Sequence, residues 1–291
     1  MGFFVNMAKN YTIARTEDGT IQITYTIPFT EIQKAKENAA VELGKDMEIP
    51  GFRKGMAPLP KLLEIPAQTL IEKALNGILP KLFGDTIDEE KLKPIAYPKF
   101  ELLKADENED WQIGATTAEM PEIDLGDYKA AIKGATTKIW KPGDDKKETV
   151  QSHEQKEQEV IKTLLSSVKV KVPKILLDEE VNSRLSKLLE QIDKLGLTLD
   201  SYLASIGKKI EEIRSEYEKQ AVSALSLDFI LVKISALEGI KVTDEEISEA
   251  INVSSNSDPE LAKRLENPEQ KRLIESILIK RNTLNKLISF V

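Results

Sequence analysis

Residues 11–28 read YTIARTEDGTIQITYTIP, and in them Ile21, Ile23, Tyr25 and Ile27 alternate with Gln22, Thr24 and Thr26. A period of two marks a half-buried strand, and Asp18-Gly19 supplies the turn of a hairpin. The period then changes. Ile32, Ala35, Ala39 and Leu43 fall on one face of a helix that Thr30 and Gln33 are spaced to cap. A second helical region runs from about Pro66 to Glu90, with Leu70, Ile71, Ala74, Leu75, Ile78, Leu82 and Phe83 as its apolar stripe. Pro80 is expected to kink or split it. AYPKFELLKADENEDWQIGATTAEMP then reads as two strands joined by an acidic turn. Residues 1–118 are therefore expected to form an α+β domain, a sheet with helices on one side.

Residues 119–147 lose this regularity. KGATTKIWKPGDDKKET mixes Gly, Pro, Thr and charge without a sustained period, so the stretch reads as a linker, with one extended strand around Ile123–Ile132. From 148 to 291 the pattern is helical throughout. Val181, Leu185, Leu188 and Ile192 keep helical spacing after a break at Pro173. Ile210, Ile213 and Tyr217 open a helix that becomes apolar nearly all round through AVSALSLDFILVKISALEGI, as an internal helix does, with Gly239 as its C-cap. Thr243 with Glu246 caps the next helix, and Asn267-Pro268 starts the last one.

Composition narrows the function classes. The chain has 291 residues, 41% hydrophobic, 31% charged and 5% aromatic, with a net charge of -8 and no cysteine. Length allows two domains, and the net charge argues against a general nucleic-acid binder. Without cysteine there are no disulfides, thiol nucleophiles or thiolate metal sites, which fits a reducing compartment. No transmembrane span is read. The opening MGFFVNMAKN is too short in apolar residues for a signal and lacks a basic region, so a cytoplasmic location is expected, and Met7 can serve as the start with residues 1–6 added before it.

The chain offers few residues with a chemical signature. His153 is the single histidine, set among Glu and Gln on a polar helix, and lacks the partners of a metal site. The acidic runs Asp88-Glu89-Glu90 and Glu107–Asp110 match no EF-hand spacing. No phosphate-binding glycine motif and no nucleophile elbow occurs. No catalytic residue, metal or cofactor is therefore assigned.

What stands out is MEIPGFRKGMAPLP, residues 47–60. Its glycines and prolines read as an ordered loop. Phe52 either tucks back into the small domain or stands at a recognition tip, where an apolar anchor beside Arg53 and Lys54 meets carboxylates or phosphates.

GFRKGMAP resembles the signature loop of the bacterial trigger factor family of ribosome-associated chaperones, whose pattern is close to G-F-R-x-G-x-x-P. Gly51, Phe52, Arg53, Gly55 and Pro58 match it, Lys54 holds a position often basic, and Met56 stands where many members carry a cation. The order of elements over about residues 9–119 resembles the family's ribosome-binding domain. KVPKILLDEEV and ALSLDFILVKISALEGIKVTDEEISEAI resemble parts of its all-α C-terminal chaperone domain, a body with helical arms. The FKBP-like prolyl isomerase domain usual between them is missing. The thirty or so residues there fall below the roughly 40 at which a chain forms its own core, and their aromatics are Tyr128 and Trp140 alone.

The resemblance implies an ATP-independent chaperone. Gly51, Phe52, Arg53, Lys54, Gly55 and Pro58 would dock on an exit-site ribosomal protein and nearby rRNA, and the helical domain would hold nascent or unfolded polypeptides. Leu185, Leu188, Leu189 and Ile192 either face the cradle that holds clients or pack between arm helices. No membrane partner is implied, and a weak homodimer stays open. Residues 1–119 hold 14 basic and 19 acidic residues, a net of -5, so docking by a local basic tip should be modest and salt-sensitive. Two other readings remain: a ribosome-independent cytosolic holdase, and a peptidyl-prolyl isomerase.

Overall fold

The computed structural model describes residues 10–106, 108–137, 153–255 and 267–290. The readings of residues 1–6, Met7 and Trp140 lie outside them. The chain divides into two compact units. The first takes the chain up to Met120 together with Pro173–Leu176, and the second takes the remainder.

The first unit is built on a four-stranded antiparallel sheet. Its strands are β1 (Tyr11–Arg15), β2 (Thr20–Ile27), β3 (Lys99–Lys104) and β4 (Trp111–Ala118), in the order β1-β2-β4-β3. The expected hairpin is present, turning at Gly19 with φ 86°. The centre of the sheet is the β2–β4 pair, in register from Thr20 opposite Ala118 to Ile27 opposite Trp111. Alternation does the rest. Ile21, Ile23, Tyr25 and Ile27 of β2, with Trp111, Ile113 and Ala115 of β4, turn to one face and are buried.

Two long helices belong to this unit, α1 (Phe29–Asp46) and α3 (Ala67–Glu90), with the single turn α2 (Leu59–Leu62) between them. Ile32 of α1 and Leu79 and Phe83 of α3 close the core over the sheet. Phe83 meets Phe100 edge to face at 6.1 Å. Two expectations need correction. The Thr30–Gln33 cap does not form, because α1 begins two residues earlier, after Pro28, and the Asp110 carboxylate accepts from Phe29 N at 3.1 Å. Pro80 does not split α3, which runs unbroken from Ala67 to Glu90. Leu79 and Phe83, buried on either side of it, hold the helix through the missing hydrogen bond.

The second unit is helical: α4 (Tyr128–Thr137), α5 (His153–Ser167), α6 (Lys174–Lys194, joined to this unit from Leu177), α7 (Leu199–Ile206), α8 (Ile210–Glu238), α9 (Asp244–Ser255) and α10 (Pro268–Ile288). The reading of 119–147 as a linker with an extended strand is corrected by α4. Tyr128 and Ile132 stand four apart on one buried face, the Asp127 carboxylate accepts from Ala130 N at 2.9 Å, and α4 packs on α5. Residues 138–147 lie outside the described residues.

Local signals near the C-terminus hold. Thr243 N donates to Glu246 at 2.8 Å and Glu246 N to Thr243 Oγ1 at 3.3 Å, a reciprocal cap. The Asn267 side chain accepts from Glu269 N ahead of Pro268. Gly239 ends α8 at φ 62°. By length and composition α8 could cross a membrane, but here it packs against α5 and α10. Nor is it buried all round. Ala221, Phe229, Ile230 and Ile234 face inward, whereas Val222, Val232 and Leu237 face out.

Candidate functional site

The loop after α1 is two tight turns in succession. Phe52 N donates to Ile49 O at 3.0 Å, which closes the first turn around Pro50-Gly51. Met56 N donates to Arg53 O at 2.9 Å and closes the second around Lys54-Gly55. Gly51 at φ 85° and Gly55 at φ 79° occupy the left-handed position that such turns require of their third residue. A Cβ on either glycine would meet nothing within 4 Å, so the constraint is dihedral and not spatial.

The feet of the loop are anchored. Ile49, Ala57 and Leu59 pack on a small apolar cluster of Ala40, Leu62, Ile65 and Leu70. Gly55 N donates to Gly44 O of α1 at 3.2 Å, which ties the tip back to the helix. Gly44 is needed for a second reason. A Cβ there would lie 2.4 Å from Leu62 Cδ2, so α2 approaches α1 only where the side chain is missing.

The tip itself is exposed. Phe52 is 40% exposed and lies outside the apolar cluster, so it does not tuck back into the domain core. Arg53, Lys54 and Met56 are exposed as well, and Pro58 enters α2 as its N-cap. Lys54 Nζ stands 3.8 Å from the Asp46 carboxylate, with both groups well exposed. Such a pair holds little free energy, and Lys54 stays available to a partner. The six predicted loop residues are thus brought together on one ordered projection.

The four leucine and isoleucine positions on α6 separate. Leu188 and Ile192 are buried with Ile213 in a cluster that also takes in Leu185, Leu199, Tyr202, Leu203 and Tyr217. Of the two alternatives for these positions, facing a client cradle or packing between helices, Leu185, Leu188 and Ile192 have the packed arrangement, between α6, α7 and α8. Leu189 alone is open, 47% exposed. Sequence reasoning missed more prominent apolar positions of this unit, among them Leu195, Leu237, Val253, Leu273 and Ile277, all more than half exposed. Leu273 and Ile277, spaced four apart on α10, carried a helical-face signal.

Among the described residues no group of three or more His, Cys, Asp or Glu is placed to hold a metal ion. His153 opens α5 with its ring largely exposed and Nδ1 4.0 Å from Glu157.

Residues 9–149 match the family described as "Bacterial trigger factor protein (TF)", and residues 143–289 match "Bacterial trigger factor protein (TF) C-terminus". Trigger factors of Staphylococcus aureus strains JH9 and Newman are each 34% identical over 108 residues, 37% of this chain. That stretch spans 25% of the relatives' own length. A solved structure described by the words "Promiscuous Substrate Recognition in Folding and Assembly Activities of the Trigger Factor Chaperone" aligns with 96% of this chain and 99% of its own, at a TM-score of 0.64 and 15% identity. That likeness is one of fold.

Proposed function

The chain belongs to the bacterial trigger factor family, and on that premise we propose that it is an ATP-independent, cytoplasmic chaperone that docks at the ribosomal exit site and holds nascent or unfolded polypeptides. The observation that carries docking is the pair of glycine turns that holds Phe52, Arg53 and Lys54 outward on anchored feet. Phe52 serves as the apolar anchor, and the two cations meet acidic side chains of a ribosomal protein or phosphates of nearby rRNA. Because the tip is ordered before it binds, little entropy is lost on docking.

Client holding falls to the helical unit. Leu189, Leu195, Leu237, Val253, Leu273 and Ile277 are separate apolar positions on a charged surface. Dispersed contacts of this kind bind many sequences weakly and let each leave to fold. The related solved chaperone is described as promiscuous in substrate recognition, which supports the same reading here. No enzymatic role is proposed, since the family matches are to the N-terminal and C-terminal trigger factor regions and no residue carries a catalytic signal.

One observation favours a second reading. The net of -5 over residues 1–119 opposes approach to an RNA-rich surface, as suits a holdase that works away from ribosomes. Co-sedimentation with ribosomes at two salt concentrations separates the two. Docking requires that the parent pellet with ribosomes at low salt and that Phe52→Ala/Arg53→Ala/Lys54→Ala stay in the supernatant. Equal pelleting of both proteins defeats the docking role of the loop.

A further inference from the structure

A second stretch of the first unit has the composition of a binding strip. Residues 91–99, KLKPIAYPK, carry three lysines and no acidic residue. They follow α3 and lead into β3, and their exposure alternates. Lys91, Lys93, Ile95, Tyr97 and Lys99 are exposed, whereas Leu92 is buried and Pro94, Ala96 and Pro98 are half-buried. The outward row is therefore basic, basic, aliphatic, aromatic, basic.

Tyr97 is 90% exposed. A ring so open contributes almost nothing to folding through burial. Yet its backbone surroundings are held firmly. Ile95 N donates to Ala118 O at 2.8 Å, Thr117 Oγ1 donates to Ala96 O at 2.7 Å, and Lys93 N donates to the Glu119 carboxylate at 2.5 Å. Thr117 is itself fully buried, and Pro94 and Pro98 restrict the chain further. No ion pair among the described residues engages Lys91, Lys93 or Lys99.

We propose that the Lys91–Lys99 strip is a second contact, apart from the Phe52 loop, for an unpaired segment of RNA, with Tyr97 stacking on a base and Lys93 and Lys99 meeting the flanking phosphates. Stacking platforms interleaved with cations are how proteins hold single-stranded nucleic acid. An acidic peptide would engage the cations but leave the ring without a flat partner. The inference rests on ribosome docking for where such RNA would be met. Binding of RNA by the strip itself is independent of that reading.

The test uses the full chain and a fluorescein-labelled oligouridylate, with anisotropy read between about 50 and about 200 mM salt. Tyr97→Ala weakens binding about tenfold, and Tyr97→Phe restores it. Lys93→Gln/Lys99→Gln lowers the slope of log affinity against log salt by about 1.4, from about 0.7 per phosphate contact. Lys73→Gln, outside both stretches and paired with Glu42 at 3.1 Å, binds the oligonucleotide like the parent, and Phe52→Ala/Arg53→Ala/Lys54→Ala is read for ribosome association. If that loop variant keeps its ribosome association, docking through the loop fails while the strip stands. The proposal is overturned if the parent shows no salt-dependent binding, if the strip variants bind like the parent, or if Lys73→Gln weakens binding as much as they do. Displacement of the RNA by oligoglutamate as readily as by unlabelled RNA also overturns it, and assigns the strip to acidic peptides.

Discussion

Tyr128 donates its hydroxyl proton to the Glu238 carboxylate at 2.8 Å, across 110 positions of sequence. Lys129 and Lys286 reach the same carboxylate at 2.6 and 2.7 Å. One acid at the end of α8 thereby joins α4, α8 and α10. The bonds from Lys129, Lys286 and Tyr128 hold the Glu238 carboxyl down at about 2, from its usual 4.5. A carboxyl depressed in the folded state stabilises the fold fully above its unfolded value, and that contribution is lost as pH falls toward the folded value. Between pH 4.5 and about 2 the parent should therefore lose stability to acid faster than Glu238→Gln. Tm measured across this range checks it, and parallel acid limbs would contradict it.

The same contact sets where the helical unit can be cut. A fragment of residues 121–291 keeps α4, with Ile132 fully buried and Tyr128 and Lys129 on Glu238. It should melt cooperatively and slow the aggregation of an unfolded test protein. Residues 148–291 lack α4 and leave a buried apolar face open, so their Tm should be lower by several degrees. Fragments of equal Tm would show that α4 contributes nothing to the unit.

At the loop, Gly51→Ala/Gly55→Ala should leave helix content unchanged and weaken ribosome association about tenfold or more. A left-handed φ costs a residue with a Cβ about 1–2 kcal/mol, and at these positions the strain falls on the tip and not on the core. Circular dichroism with co-sedimentation reads both effects. Unweakened association would mean that the turn geometry does not preorganise docking.

Gly44 calls for a different outcome. Gly44→Ala sets a methyl against Leu62, and overpacking of this kind costs about 1–3 kcal/mol. The loss should appear as a lower denaturation midpoint, partly restored by Leu62→Ala, which makes room. An additive double variant would argue against the close approach.

Leu188 and Leu189 are adjacent in sequence and should behave oppositely. Leu188→Ala removes a buried side chain and should destabilise by about 2–5 kcal/mol. Leu189→Ser should leave the midpoint within about 0.5 kcal/mol and reduce protection of an aggregating client. A stability loss at Leu189, or unchanged protection, would remove it from the client surface.

Most of what depends on residues a few positions apart was legible in the sequence alone, the Thr30–Gln33 cap excepted. The Asp18-Gly19 hairpin, the Thr243–Glu246 cap, the Asn267-Pro268 helix start and the glycine-bearing loop at 51–58 are of this kind. Each is a backbone geometry that a short local pattern dictates, and the resemblance of GFRKGMAP rests on such a pattern. Tertiary structure decided what periodicity leaves open. An apolar spacing says that a face seeks cover but not what covers it. Leu188 and Ile192 therefore read no differently from Leu189 until α7 and α8 closed over them. Tyr128 and Ile132 gave too short a signal among threonines and charges, and α4 is stabilised by α5 and by Glu238, far along the chain. Pro80 broke a local rule that burial of Leu79 and Phe83 outweighed. Phe52 remained ambiguous for the same reason. Its exposure follows from Ile49, Ala57 and Leu59 filling the small core beneath the loop, which leaves the ring no apolar place to go.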